Sequence, residues 1–161
     1  DGVDFEEIQA YAASLSIADR CIFTGAERDR ETLRAYYSLA EMFLFPSTFD
    51  NRPIVLLEAT ACGLASILVR GSSSAEGMTD GRHALLIDED ASSLARAVTT
   101  VLNDPGLAPC LGQNAMEEVY VSWEDAVAAA YRRYFIVIEN YRKKQEELRR
   151  RRRSFRVRLQ R

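Results

Sequence analysis

The sequence predicts a doubly wound α/β fold: a parallel sheet, incomplete on its N-terminal side, with a helical C-terminal extension. Three observations carry this. Short apolar runs alternate with segments of helical periodicity, no tight hairpin turn joins successive runs, and the alternation stops after Ile87.

The elements follow in order. Ile8, Ala12 and Leu15 fall on one helical face, and Cys21-Ile22-Phe23 is a short apolar run ending at Thr24-Gly25. Arg30 to Ala40 predicts a second helix with Leu33, Tyr36, Tyr37 and Ala40 as its apolar stripe. Met42 to Phe45 is continuously apolar and closed by Pro46, as expected of a strand buried on both faces. Pro53 to Cys62 predicts a helix with Pro at its first position and Gly63 at its end. Ser66 to Val69 and Ala84 to Ile87 are two further strands. Three helices close the chain, marked by Leu94 to Leu102, Leu107 to Tyr120, and Trp123 to about Leu148. Only about four strands result, fewer than a doubly wound sheet normally holds. The expectation is either a small sheet or one whose first strands lie upstream of Asp1.

The 161 residues suit one domain, and 47% hydrophobic residues suit a real core. No apolar stretch approaches the roughly 20 residues that span a bilayer. Cys21, Cys62 and Cys110 are odd in number and lack ligand spacing, which favours free thiols over disulfides or a zinc site. Net charge is −3, yet residues 142–161 hold eleven Lys or Arg against Glu146 and Glu147, a net of +9. The other 141 residues are net −12. The expected division is therefore an acidic domain, residues 1–141, and a basic tail, residues 142–161.

The stretch from Phe45 to Gly63 is the densest in chemistry: a buried strand, a polar loop and a helix. Ligands of open α/β sheets bind at the carboxyl ends of strands, where such loops sit. The helix start after Asn51 offers unpaired N–H groups and a positive dipole end, which suit a phosphate. Asp50 lies just before that start, and Glu58 about one and a half turns inside it. On these residues alone two readings stand. Asp50 or Asn51 caps the helix and Glu58 pairs with a neighbouring base, or the two carboxylates hold a ligand.

The order of residues here resembles the signature of the retaining glycosyltransferases of the large group-1 family (family 4, GT-B fold). In that signature a strand ends in Pro-Ser, a loop carries an acid, and a helix follows with Glu-Ala and a later Ala-x-Gly. Asp50 and Glu58 keep the family's seven intervening residues, with Asp in place of the usual Glu at the first position. The likeness extends to Ala18–Gly25, to Tyr36-Tyr37-Ser38-Leu39-Ala40-Glu41, to Gly71–Gly77 with Asp80-Gly81, and to Leu111–Ala115 with Ser122-Trp123-Glu124.

The resemblance implies a Rossmann-like domain that binds a nucleoside diphosphate sugar, most readily a UDP-sugar, and a hexosyl transfer to a hydroxyl with retention. It implies that Glu58 binds the ribose hydroxyls and Asp50 the hydroxyls of the transferred sugar. Backbone groups of Asn51, Arg52, Ile54 and Val55 would face the sugar and diphosphate, and Gly25 would border the base. It implies no metal and no cofactor, and an acceptor domain that lies upstream, so that this chain alone is incomplete and inactive. The alternatives are a non-catalytic nucleotide-binding remnant, or a membrane-associated adaptor working through the tail.

Other residues are given structural readings. His83 is expected to be a surface turn residue, Gly71 and the three serines after it a turn and helix cap, and Trp123 a packing anchor. For the tail, a disordered or frayed helix extension competes with attraction of Arg149, Arg150, Arg151, Arg152 and Arg153 to an anionic membrane. Nucleic-acid binding is disfavoured by the acidic body. A cytoplasmic protein, peripheral at the inner membrane face, is the localisation these readings suggest.

Overall fold

The computed structural model describes residues 2–51 and 53–159, the last ten of these as backbone only. It divides into two compact units, residues 1–120 and 121–161.

In the first unit, α1 (Phe5–Ser14) leads through a single 3-10 turn at Ala18–Arg20 to α2 (Arg30–Leu39). There follow β1 (Phe43–Phe45), α3 (Ile54–Ala61), β2 (Ser66–Val69), β3 (Ala84–Ile87), α4 (Ala91–Asn103) and α5 (Leu107–Glu118). The three strands form one parallel sheet in the order β1-β2-β3, with Phe43 opposite Ser66 and Ser66 opposite Ala84. The expected fourth strand does not form: Cys21 to Phe23 belong to no strand and Ile22 is exposed.

The middle strand explains the doubly wound arrangement. All four residues of β2 are buried, and successive side chains point to opposite faces. Leu68 packs with Leu56, Ala75 and Ala84 on the α3 face. Ile67 and Val69 pack with Ile87 and Ala97 on the α4 face. Covered on both sides, β2 is apolar but for Ser66 at its start and does not alternate. β1, expected to be buried on both faces, is only partly so, with Leu44 exposed.

Local chemistry sets the ends. Asp29 accepts the Thr32 N–H at 2.8 Å to cap α2, and Asp90 accepts the Ser93 N–H at 2.8 Å to cap α4. Gly63 ends α3 at φ +67°, a left-handed conformation that side chains resist. Gly112 of α5 lies against that turn so closely that a Cβ there would meet the Gly63 carbonyl oxygen at 1.8 Å.

The second unit is dominated by α6 (Trp123–Leu159), opened by Ser122, whose hydroxyl accepts the Asp125 N–H at 3.1 Å. The helix runs past Leu148, where its periodicity suggested an end. Arg, Lys, Gln, Glu and Leu are all strong helix formers, so the basic run continues the helix. Among the described residues, no helix is long and apolar enough to cross a membrane.

Candidate functional site

Because the sheet is parallel, the segments that leave β1, β2 and β3 all emerge at one end of it. The loop after β1 is pinned by its own hydroxyls. Ser47 donates to Asp50 at 2.7 Å, and Thr48 donates to Glu89 at 3.2 Å, which ties this loop to the one after β3. Asp50 thus has its carboxylate oriented in the loop and does not cap α3. Pro53 is the extended N-cap residue and gives no side-chain cap, so the reading in which Asp50 or Asn51 caps the helix does not hold. Proline fixes the φ of the helix's first step but has no side-chain acceptor to offer. The N–H groups of Ile54 and Val55 therefore open α3 without an intrahelical acceptor. Asn51 is exposed beside them, and Arg52 lies outside the described residues.

Glu58 sits half-buried in α3, and its partner is not a base. The Tyr37 hydroxyl of α2 donates to it at 3.2 Å. Burial, then the charge of Glu58, pushes the Tyr37 phenol up to about 12, so it stays a protonated donor at neutral pH. Asp50 and Glu58 share no hydrogen bond; Ser47 holds one and Tyr37 the other. Gly25, at φ +67°, supplies the turn between the extended segment after α1 and α2.

Other groups at this end are committed to holding the loops. Arg70 donates to Asp80 and to the Leu86 carbonyl, each at 2.7 Å. Ser72 accepts the Ala75 N–H at 3.3 Å, so the serines after Gly71 do act as a cap. Ser74 is buried, and its hydroxyl has no partner among the described residues. It lines a hollow of about 30 Å³ beneath the start of α3, beside Pro53, Thr60 and Glu76. A hollow of about 270 Å³ beside Pro46 is edged by Asp88, Glu89 and Asp90, whose charges would repel a diphosphate. A larger cleft of about 480 Å³ opens where Glu41 precedes β1 and Leu64 precedes β2, and Asp104 lines it too. That is the opposite end of the sheet from the loops. Among the described residues, no three His, Cys, Asp or Glu side chains are grouped to hold a metal.

His83 overturns its expected place on the surface, with 7% of it exposed. Its Nδ1 accepts the Thr79 N–H at 3.1 Å, and its Nε2 donates to Glu118 at 2.8 Å. Arg82 grips the same carboxylate, with its Nε at 2.9 Å. The sequence offers no local sign of this cluster, because Glu118 lies 35 residues away.

A strand followed by Pro-Ser, an acid-bearing loop and a helix that opens at Ile54 now stand in one frame. Over residues 1–118 the chain matches the model of the glycosyl transferases group 1. The chain belongs to this family. The match covers nearly all of the first unit and none of α6.

Group 1 relatives agree with the assignment. A GDP-mannose-dependent alpha-(1-6)-phosphatidylinositol monomannoside mannosyltransferase of Mycolicibacterium smegmatis is 28% identical over 76% of this chain and 34% of its own length. A D-inositol 3-phosphate glycosyltransferase of Corynebacterium jeikeium is 30% identical over 83% of this chain and 32% of its own. Among solved structures, a sucrose-phosphate synthase from Thermosynechococcus elongatus superposes with a TM-score of 0.73 at 30% identity. It covers 84% of this chain and 35% of that one. The chain spans about a third of the length of these three relatives. The C-terminal domain of a group 1 glycosyl transferase from Francisella tularensis shares the fold, with a TM-score of 0.64 at 20% identity.

Proposed function

We propose that this chain is the donor-binding half of a retaining glycosyltransferase, which moves a sugar from a nucleoside diphosphate sugar to a hydroxyl acceptor. The observation that carries the reading is the start of α3. Two N–H groups with no acceptor among the described residues, at Ile54 and Val55, are flanked by a loop carboxylate, Asp50, and followed by Glu58, a carboxylate that accepts from the Tyr37 hydroxyl. Bare N–H groups and a helix dipole stabilise phosphate oxygens. Carboxylates accept hydrogen bonds from hydroxyls, which both the ribose and the sugar present.

In this reading Glu58 accepts from the ribose, Asp50 accepts from the transferred sugar, and the diphosphate lies over the α3 start beside Asn51, Arg52, Ile54 and Val55. Gly25 borders the base. As the anomeric C–O bond breaks, negative charge grows on the departing diphosphate while the sugar becomes oxocarbenium-like. Fixed N–H dipoles stabilise that growing charge without reorganising. The acceptor hydroxyl then bonds to the anomeric carbon on the face the diphosphate leaves and gives its proton to the departing diphosphate, which retains the configuration. No metal or other cofactor enters this scheme. Asp50 is one methylene shorter than Glu, so the sugar must sit closer to the loop. The acceptor site belongs to a separate domain of the whole protein. A peripheral position on the cytoplasmic face of a membrane completes the reading.

UDP is the first candidate donor nucleotide, although the Mycolicibacterium relative is named for GDP-mannose. Calorimetric titration of the chain with UDP, GDP and ADP tests the reading. One diphosphate is expected to saturate. Glu58→Ala should weaken it about tenfold to a hundredfold, the worth of a charge-assisted hydrogen bond at ~1.5–3 kcal/mol. Asp50→Ala should leave the diphosphate bound and weaken only the intact nucleotide sugar. Unchanged affinities in both variants, or no binding by a folded chain, would reject the proposal.

A further inference from the structure

Tyr36 and Tyr37 are adjacent in the last turn of α2, and the fold treats them differently. Tyr36 is 44% exposed, while Tyr37 turns toward β1 and α3. The Tyr37 ring meets Phe43 edge to face with centroids 6.1 Å apart, and Phe43 stacks on Phe45 at 5.7 Å. Both phenylalanines pack on the core cluster that includes Leu56 of α3. Carbon contacts thus fix the ring, and its hydroxyl reaches Oε2 of Glu58 at 3.2 Å. The kind of partner sets Glu58 apart. Asp80 is held by Arg70, and Glu118 by Arg82 and His83, so these fold-tying carboxylates are held by bases. The two carboxylates of the proposed donor site are held by hydroxyls, Asp50 by Ser47 and Glu58 by Tyr37. A phenol donates a single hydrogen bond, which leaves the second carboxylate oxygen to accept from a ligand.

We infer that Tyr37 is a positioning residue of the donor site, whose hydroxyl holds the Glu58 carboxylate in the orientation that accepts from the ribose hydroxyls. The inference rests on the proposed donor site and adds the group that sets its ribose recognition. A glutamate on a helix face has several rotamers open to it, and an unheld one loses that freedom when a ligand binds. A side chain already ordered by folding loses less, so its hydrogen bonds to the ligand contribute more affinity. Burial, and then the charge of Glu58, raises the phenol to about 12, so it remains a donor through the neutral range and well above it. An acceptor held in place also discriminates. A nucleotide that lacks a ribose hydroxyl leaves the carboxylate oxygen unpaired, whereas a loosely held carboxylate can turn to another partner. The contact joins α2 to α3, inside the first unit and inside the residues that match the family, so it is built wholly by residues of this chain.

The experiment is calorimetric titration of the full chain with whichever of UDP, GDP and ADP binds best, and with the corresponding deoxyribonucleotide. The unaltered chain should prefer the ribonucleotide by at least about tenfold, and Glu58→Ala should remove the preference. Tyr37→Phe keeps the ring against Phe43 and should reduce the preference about fivefold, with binding of the deoxyribonucleotide unchanged. Adding Tyr37→Phe to Glu58→Ala should change nothing further, and Tyr36→Phe should have no effect. A tyrosine that only supports the fold would weaken both nucleotides alike. Urea midpoints check that each variant folds. A second measurement needs no change at Tyr37. In carbon NMR of the tyrosine rings, one phenol should stay protonated at about pH 11, where an ordinary phenol has largely ionised, and Glu58→Gln should lower it. No nucleotide binding, or a preference that survives Glu58→Ala, would overturn the donor site and this inference with it. A preference lost in Glu58→Ala but intact in Tyr37→Phe would overturn the inference and leave the donor site standing. So would an equal loss for both nucleotides, or a phenol set that titrates throughout in the ordinary range.

Discussion

Single carboxylates in this chain differ mainly in what holds them. Glu58 has a phenol for a partner, a donor without a charge of its own, which orients the carboxylate. Glu118 is the opposite case. Hydrogen bonds from Arg82 and then His83 hold it down at about 2, from an ordinary 4.5. It joins the turn before β3 to the end of α5. A carboxylate whose folded-state pKa is depressed stabilises the fold above its unfolded pKa and loses that contribution as pH falls toward the folded value. The window here runs from about 4.5 down to about 2. Urea midpoints of the chain and of Glu118→Gln should differ by a constant amount at neutral pH and converge across that window. A constant gap down to the lower limit would show that the cluster contributes nothing through charge. The cluster is on the surface apart from His83, so its effect should be modest and reduced by salt.

The elements were legible wherever apolarity alone marks burial. Ser66–Val69 and Ala84–Ile87 read as strands and are strands, and α2 ends within one residue of its expected limit. Where a partner decides the outcome, sequence was not enough. Cys21 to Phe23 has the composition of a strand, but pairing needs a neighbouring edge, and composition does not say whether one is present. The close approach of α3 and α5 was equally hidden. Gly112 looks like a weak point in a helix, since glycine costs ~1 kcal/mol relative to alanine there. The structure gives it a different purpose, because an added Cβ would lie 1.8 Å from the Gly63 carbonyl oxygen. Backbone cannot rotate out of the way as a side chain can. Gly112→Ala should therefore destabilise the first unit by about 1–3 kcal/mol despite its better helix propensity. Gly2→Ala, with nothing within 4 Å of the new methyl, should be neutral. A denaturation midpoint for each settles it, and a stabilised Gly112→Ala would mean that α5 can shift freely.

At the scale of the whole molecule, the family was legible because its signature is a local order of residues, and the parallel sheet because its strands are apolar runs without alternation, Ser66 apart. The two edges of that sheet were not, since they depend on which backbone groups find partners. The outer edge of β3 is closed. Gly81 donates to the Ala84 carbonyl at 2.9 Å, Asp80 accepts the Leu86 N–H at 2.9 Å, and Arg70 covers the Leu86 carbonyl. β1 has no such cover among the described residues. Phe43 donates to Ala65 of the β2 side at 2.7 Å, which turns the N–H and C=O of Leu44 outward, and Leu44 is 43% exposed. An open, apolar edge is a template for another strand. The chain by itself should therefore self-associate as its concentration rises, as seen by sedimentation velocity. Leu44→Lys should return it to monomer, because a charge on an edge strand opposes pairing. The association should persist when Arg149 to Arg153 are changed to Gln, which separates it from any role of α6. A chain that stays monomeric at high concentration would show that the edge of β1 is protected by the extended segment around Cys21 to Phe23.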